Sequence, residues 1–269
     1  MKIVLLCSGQ YNQVALANKV AQNFELAGIV IEKPVHKRKK TLSSIINKIL
    51  SRIFFIRLHK AWTDMLQYYQ KKYPAFPIAD SIITAKINSP ETINFIIKHK
   101  PDIVIVSGTS LIRKELLALP LPKGIINLHT GLSPYIKGGP NCTNWCIAKN
   151  KFFLIGNTIM WLDAGIDSGD IITTETTPLL GTETLLQLHI KVMEHAHSLY
   201  IKALKKIEND FENCPHVKQS SITEGVTFYN KQWNWNAKWA ALKNLKKIKP
   251  YFLSSAYQQD KAGVKTIML

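Results

Sequence analysis

Long apolar runs are missing from this chain. No stretch approaches the roughly 18 uninterrupted apolar residues that a membrane-spanning helix needs, and the opening run Ile3 to Cys7 is too short for the hydrophobic region of a secretory signal. The expectation is a soluble, cytoplasmic protein. Cysteine is scarce too: Cys7, Cys142, Cys146 and Cys214 are scattered, and apart from a lone Cys142-x-x-x-Cys146 no pair has metal-ligand spacing. Reduced thiols and no metal are expected. Acid is the third shortage, with 18 Asp and Glu against 35 Lys and Arg, a formal charge of +17. The imbalance is uneven. Between Lys33 and Lys60 there are nine basic residues and no acidic one, whereas Ile155 to Glu183 is net acidic. Such a charge favours anionic partners, among them folate tails, sugar nucleotides, nucleic acid and membrane surfaces, without choosing between them. Internal repeats and long low-complexity tracts are absent as well.

What remains is ordinary globular composition, 46% hydrophobic, enough for one full core with an appendage. Lys2–Cys7 is apolar and partly branched, Ser8-Gly9-Gln10 supplies a turn, and Tyr11 to Phe24 places Val14, Ala17, Val20 and Ala21 at helical spacing before a second apolar run from Leu26 to Ile31. That βαβ opening implies parallel strands. Residues 33–80 interrupt the alternation as a basic helical insertion. It holds Lys37, Arg38, Lys39 and Lys40, then an amphipathic stretch with Ile45, Ile46, Ile49, Leu50, Ile53 and Phe54 at helical intervals. We expect that stripe to dock on the protein's own core, with peripheral contact to an anionic membrane as the alternative.

The alternation resumes with a short strand at Ser81 to Thr84 and a helix opened by Ser89-Pro90-Glu91. Asp102 to Ser107 is continuously apolar after its first residue, as in a strand buried on both faces, and Gly124 to Leu128 follows as the next. A helix near Asn141 to Ala148, strands near 154–162 and 170–177, and a long helix from Thr184 to Ile207 complete an α/β, Rossmann-like domain over 1–207. Its sheet should be mostly parallel with helices on both faces. From 208 to 269 the pattern changes to a small C-terminal appendage with Trp233, Trp235, Trp239 and a lysine-rich helix. Those tryptophans are expected to close a small core; stacking on RNA bases is the alternative, and nucleic acid is not the favoured partner.

Two segments could carry chemistry. In Asn127-Leu128-His129 the polar side chains share one face where an apolar strand runs out, and strand carboxyl ends are where parallel sheets collect ligands. An amide donor beside an imidazole suits the oxyanion of a tetrahedral acyl intermediate, although such a pair can equally cap loop backbone. Leu162-Asp163-Ala164-Gly165-Ile166-Asp167-Ser168-Gly169-Asp170 can be a plain turn, and it lacks the calcium-loop spacing and terminal glutamate.

Together, Asn127-Leu128-His129-Thr130-Gly131-Leu132-Ser133-Pro134-Tyr135-Ile136-Lys137-Gly138 and Leu162 to Gly169 resemble the signature of the 10-formyltetrahydrofolate-dependent formyltransferases. That superfamily includes glycinamide ribonucleotide transformylase, methionyl-tRNA formyltransferase and the sugar N-formyltransferases. The resemblance spans 1–207 and weakens in 33–80. It implies Asn127, His129 and Asp167 as the catalytic three. It also implies a folate pocket at Leu111, Ile112 and Arg113 with the backbone of the Trp161, Leu162, Asp163 to Asp167 loop. Gly131 stands where a serine is common, and Ser133 where leucine is usual. The implied reaction is transfer of a formyl group, a one-carbon unit, from 10-formyltetrahydrofolate to a neutral amine. Asn127 and a protonated His129 would stabilise the oxyanion, and Asp167 would relay the proton. With no covalent enzyme intermediate required, Cys142 and Cys146 are expected to be packing residues.

The acceptor is expected to be a nucleotide-linked amino sugar, because only about 60 residues follow the core and tRNA recognition needs a long phosphate-tracking surface. Lys137 with the backbone of Gly138 and Gly139 could supply donors to a diphosphate. A tRNA-acting or glycinamide ribonucleotide transformylase-like enzyme is the alternative, and a homodimer is left open.

Overall fold

The computed structural model describes residues 1–34 and 41–269, so the cluster Lys37 to Lys40 lies outside the described residues. Strand β1 (Lys2–Ser8), helix α1 (Tyr11–Ala21) and strand β2 (Glu25–Glu32) form the expected βαβ unit. Helices α2 (Leu42–Phe54) and α3 (Ile56–Lys72) follow, then β3 (Asp80–Thr84), α4 (Pro90–His99), β4 (Ile103–Ser107), the single turn α5 (Lys114–Leu117) and β5 (Ile125–His129). A short β6 (Ile136–Gly138) leads to α6 (Cys142–Ala148), β7 (Gly156–Trp161), β8 (Ile171–Thr176) and the long α7 (Leu185–Asn209). Strand β9 (Val226–Phe228) and helices α8 (Trp235–Leu245), α9 (Ile248–Phe252) and α10 (Ser255–Ala262) close the chain.

The main sheet has seven strands in the order β3-β2-β1-β4-β5-β7-β8. The first five are parallel, while β7 runs antiparallel to β5 and β8 antiparallel to β7. Alternation along the strands explains why both faces are covered. In β1, Ile3 and Leu5 point into a cluster with Leu16 of α1 and Leu199 and Leu204 of α7, while Val4 and Leu6 point into the opposite cluster with Phe95 and Ile96 of α4. Successive strand side chains face opposite ways, so a strand between two helical layers must be apolar at every position. Helix α7 starts with a capping box, in which Thr184 and Gln187 each accept the other's backbone N–H at 3.3 and 2.9 Å.

Two consequences matter for the site. Tyr200 of α7, fully buried, accepts the Val106 N–H at 3.0 Å and donates to the Ile126 carbonyl at 2.9 Å, tying β4 to β5 one residue from Asn127. The segment after 208 runs back over the carboxyl ends of the strands: β9 pairs in parallel with β6, and Phe228 stacks on Trp145 of α6 at 4.2 Å.

The stripe of α2 corrects one expectation. Phe55, just after α2, is fully buried between the rings of Trp235 and Trp239, 4.9 and 5.2 Å away. The helix's own aliphatic side chains do not dock on the core. Leu42, Ile45, Ile46, Ile49 and Ile53 are exposed, and Ser51 is the buried position. The inner side of α2 is held by polar residues and one aromatic: Asn47 accepts from the indole N–H of Trp235 and Ser51 from Nζ of Lys238, both at 2.8 Å, while the half-exposed Phe54 meets the rings of Trp235 and Trp239 at 5.6 and 6.4 Å.

Candidate active site

Strand β5 ends in Asn127 and His129, whose side chains leave the same face, and the loop 163–169 lies across from them. Asp167 stands in that loop in the left-handed region, at φ 49°, which directs its carboxylate back at the strand. One oxygen, Oδ2, lies 3.3 Å from Nδ1 of His129 and accepts the Gly138 N–H at 3.0 Å; the other, Oδ1, lies 3.5 Å from Nδ2 of Asn127. Both His129 and Asp167 have largely buried side chains. A carboxylate shared between an imidazole, an amide and a backbone N–H holds all three at fixed spacing.

Neighbours pin each part. Thr158 of β7 accepts the Ser133 N–H at 2.9 Å and donates to the Gly131 carbonyl at 2.8 Å, fixing the turn after His129. At Gly131 a Cβ would collide with Nε2 of His129 and Sγ of Cys142, so the glycine is what lets this imidazole and this thiol come together, at 3.5 Å. Burial, with Cys146 and Asp167 nearby, holds the Cys142 thiol well above its usual range, so it meets the imidazole as a neutral group. Cys146, one turn further along α6, packs in the interior. All four cysteines are free and buried. On the loop side, the Gln219 amide donates to the carbonyls of Asp167 and Gly169 at 2.8 and 2.9 Å, and Trp161 lies flat on His216 at 4.6 Å.

A cleft of about 590 Å³ opens over these groups. Leu111, Ile112, Trp161, Leu162, Asp163, Asp167, Gly138 and Gly139 line it; Arg113 does not, its backbone N–H donating to Asn88 instead, and Lys137 lines a separate small cavity with Lys218. Glu32 at the end of β2 holds the 108–112 loop by accepting the N–H groups of Ser110 and Ile87 at 2.6 and 3.0 Å. Sequence reasoning missed the remaining lining: Gln10, Asn12 and Gln13 at the start of α1, Trp62 of α3, and Phe228 to Asn230. The tryptophan-rich ending was the available signal for that last group. Among the described residues no group of three or more His, Cys, Asp or Glu could hold a metal ion, and no helix is long and apolar enough to cross a membrane.

A second cavity of about 860 Å³ adjoins the first, sharing Gln10, Trp62, Pro140 and Asn141. Its wall carries Arg52, His59, Lys60 and Lys238 with Trp62 and Trp233, and one carboxylate, Asp64, which pairs with Lys60 at 2.9 Å and leaves Arg52 and Lys238 as the excess positive charge. Burial and the charges of Lys238 and Arg52 hold the His59 imidazole below its usual range. The cavity is therefore electropositive.

Comparison with known proteins bears on the family and the fold. The chain is 31% identical over 172 residues to the methionyl-tRNA formyltransferase of Clostridium tetani, covering 62% of this chain and 54% of that protein. It is 33% identical over 146 residues to that of Clostridium perfringens strain SM101, covering 54% and 46%. The chain thus spans about half the length of the curated relatives it matches. Among solved structures it resembles a sugar N-formyltransferase from Shewanella sp. FDAARGOS_354, with a TM-score of 0.56, 18% identity, and 91% and 88% of the two chains covered. It also resembles an N-formyltransferase from Helicobacter canadensis in complex with folinic acid and dTDP-3-aminofucose, with a TM-score of 0.57, 16% identity, and 91% and 81% covered. These likenesses concern the fold. The family model described as formyl transferase matches residues 1–204, and the chain accordingly belongs to the formyl transferase family.

Proposed function

We propose that this protein transfers a formyl group from 10-formyltetrahydrofolate to the amine of a nucleotide-linked amino sugar. The observation that carries the reading is the convergence of Asn127, His129 and Asp167 at the floor of a cleft that continues into an electropositive cavity. Asn127 and His129 stabilise negative charge on the acyl oxygen as the amine attacks, and Asp167 stabilises the imidazolium and takes part in removing the amine's proton. Collapse of the tetrahedral adduct then breaks the bond from the formyl carbon to the folate nitrogen that carried it, and that nitrogen takes up a proton as tetrahydrofolate leaves. The substrate supplies the nucleophile, so no side chain need form a covalent bond.

The co-substrate fits the cleft chemically. Val106, Ile112 and Leu162 offer apolar faces to a fused ring beside loop backbone at 108–111. The side-chain oxygens of Asn12 and Gln13, on the lining, are buried with no partner among the described residues. Buried amide oxygens left unpartnered beside a cleft call for a partner, which a bound ligand's N–H or an ordered water can supply. The second cavity supports the acceptor assignment: aromatic faces suit a base, and clustered cations suit a diphosphate. The folds of the Shewanella sugar N-formyltransferase and of the Helicobacter N-formyltransferase in complex with an aminofucose nucleotide extend over 91% of this chain.

A second reading, a charged tRNA as acceptor, is favoured by a different observation, the 31% identity to methionyl-tRNA formyltransferases. The test is a panel of nucleotide-linked amino sugars, methionyl-tRNA and glycinamide ribonucleotide, each incubated with enzyme and 10-formyltetrahydrofolate and read by mass. Formylation of a nucleotide sugar is expected. Formylation of methionyl-tRNA alone would overturn the acceptor, and no formylation of any amine would overturn the reaction.

A further inference from the structure

We propose that the outward face of α2 seats this protein on an anionic lipid bilayer. The helix is amphipathic but inverted. Its polar side faces the protein through the Asn47–Trp235 and Ser51–Lys238 hydrogen bonds, and the adjacent Phe55 is locked between two indoles, so the orientation is fixed by packing. The other side presents Leu42, Ile45, Ile46, Ile49 and Ile53 as one stripe, with Leu42 74%, Ile49 53% and Ile53 62% exposed. Single exposed aliphatic residues need no explanation, whereas five in a continuous stripe on a helix mark a surface that something covers.

Charge identifies the occupant. From 41 to 60 the chain carries Lys48, Arg52, Arg57 and Lys60, all exposed, and no acidic residue. Lys48 and Arg52 stand four apart and border the stripe on one side of the helix. A second copy docked through the same face would be isologous, setting this cationic belt against itself. An uncharged protein groove would cover the isoleucines and leave the cations idle. An anionic bilayer takes both at once, the aliphatic side chains entering the headgroup boundary while the flanking Lys and Arg meet lipid phosphates. Arg52 stands where the two sides of the helix meet and also lines the electropositive cavity, so Lys48 is the cation of α2 left to the lipid alone.

The experiment does not depend on the proposed activity. The full chain is sedimented at about 0.15 M salt with vesicles of phosphatidylcholine, or with vesicles containing about one-third phosphatidylglycerol. The wild type is expected to pellet with the anionic vesicles and not with the neutral ones. The double variant Ile49→Asp, Ile53→Asp should lose about 100-fold in partitioning at an unchanged melting temperature, since neither side chain is packed in the interior. A wild type that stays in solution, or a double variant that pellets as the wild type does, would overturn the proposal. So would a dimer in sedimentation velocity that the double variant dissolves, which would assign the face to a second copy.

Discussion

The two walls of the cleft are built by different means. One is the end of β5 with the 163–169 loop, where a few polar atoms are held at hydrogen-bond distance by Tyr200, Thr158 and Gln219. The other gathers Gln10, Trp62, Phe228, Tyr229 and Asn230 from segments far apart in the chain. It rests on rings against rings, Phe228 on Trp145 at 4.2 Å and Trp62 against His189 at 5.6 Å. Directional bonds fix where charge is stabilised, while aromatic area fixes where a ligand lies. Substitutions on the first wall should therefore appear in turnover, and those on the second in binding or in the wall's own stability.

The largest effect tests the first half of that contrast. His129→Ala and Asp167→Ala should each lower kcat about 10³-fold, with KM within a few-fold and the melting temperature unchanged. Steady-state kinetics of formyl transfer with a thermal melt would check both. Wild-type turnover in either variant would erase the distinction between the walls.

Acid should break the second wall before the first. His189, under Trp62, is fully buried and its Nε2 has no partner among the described residues; burial lowers its pKa to about 4 from the usual 6.5. His197 is lowered well below the ordinary range by burial and by Lys19. In both cases the unfolded chain takes up its proton first, so stability is complete above pH 6.5 and falls as pH drops through 6.5 toward 4. His189 alone accounts for about 3 kcal/mol across that window. Denaturant melts at pH 7 and 5 should differ, and His189→Leu should flatten part of the difference. An unchanged acid limb in that variant would show that this wall does not fail first.

How legible each wall was follows from the same contrast. The strand ends could be read because burial on both faces leaves a mark on every residue: Ile103 to Val106 is apolar throughout, and the polar Asn127 and His129 stand out where an apolar strand stops. The second wall leaves only a compositional mark, the tryptophan-rich ending near Phe228, and none at Gln10 or Trp62. Trp62 and Phe228 have the composition of any packed helix or strand, and only the fold brings residues 10, 62 and 228 to one cleft. Periodicity also fails to state a destination. Helix α7 and helix α2 both carry apolar stripes; α7 buries Leu188, Val192, Ala196 and Leu199 against the sheet and its neighbours, whereas α2 turns its isoleucines outward. The spacing reveals a face and is silent about what covers it. At Gly131 the departure from the family pattern was visible, but its meaning required the position of the Cys142 thiol beside His129.

A smaller effect lies where the walls meet. Gln219 belongs to the later segment, yet its amide donates to two carbonyls of the Asp167 loop. It touches no reacting atom and acts by positioning. Gln219→Ala should lower kcat roughly 10- to 100-fold, the scale of a misplacement near 1 Å, and leave KM for the acceptor nearly unchanged. A purely structural role would lower the melting temperature without separating kcat from KM.

The smallest predicted effect belongs to the electropositive cavity, and it tests whether the second wall is a binding surface at all. Arg52 lines that cavity, is exposed to solvent and touches neither Asn127 nor His129, so it can change only how an anionic acceptor is held. Arg52→Gln should raise the acceptor KM about tenfold, the modest value expected of a charge-assisted hydrogen bond screened by water, with kcat unchanged. His59 gives a readout independent of catalysis, because burial, Lys238 and Arg52 together hold its imidazole below the usual range. Removing Arg52 should let His59 titrate at higher pH, and inorganic diphosphate bound by the wild type should move it the same way, since an anion between the cations favours the charged ring. Histidine NMR titrations with and without diphosphate would record both shifts. If diphosphate left His59 where it was while formyl transfer to a nucleotide sugar persisted, the acceptor's phosphates would have to be bound elsewhere in the cleft.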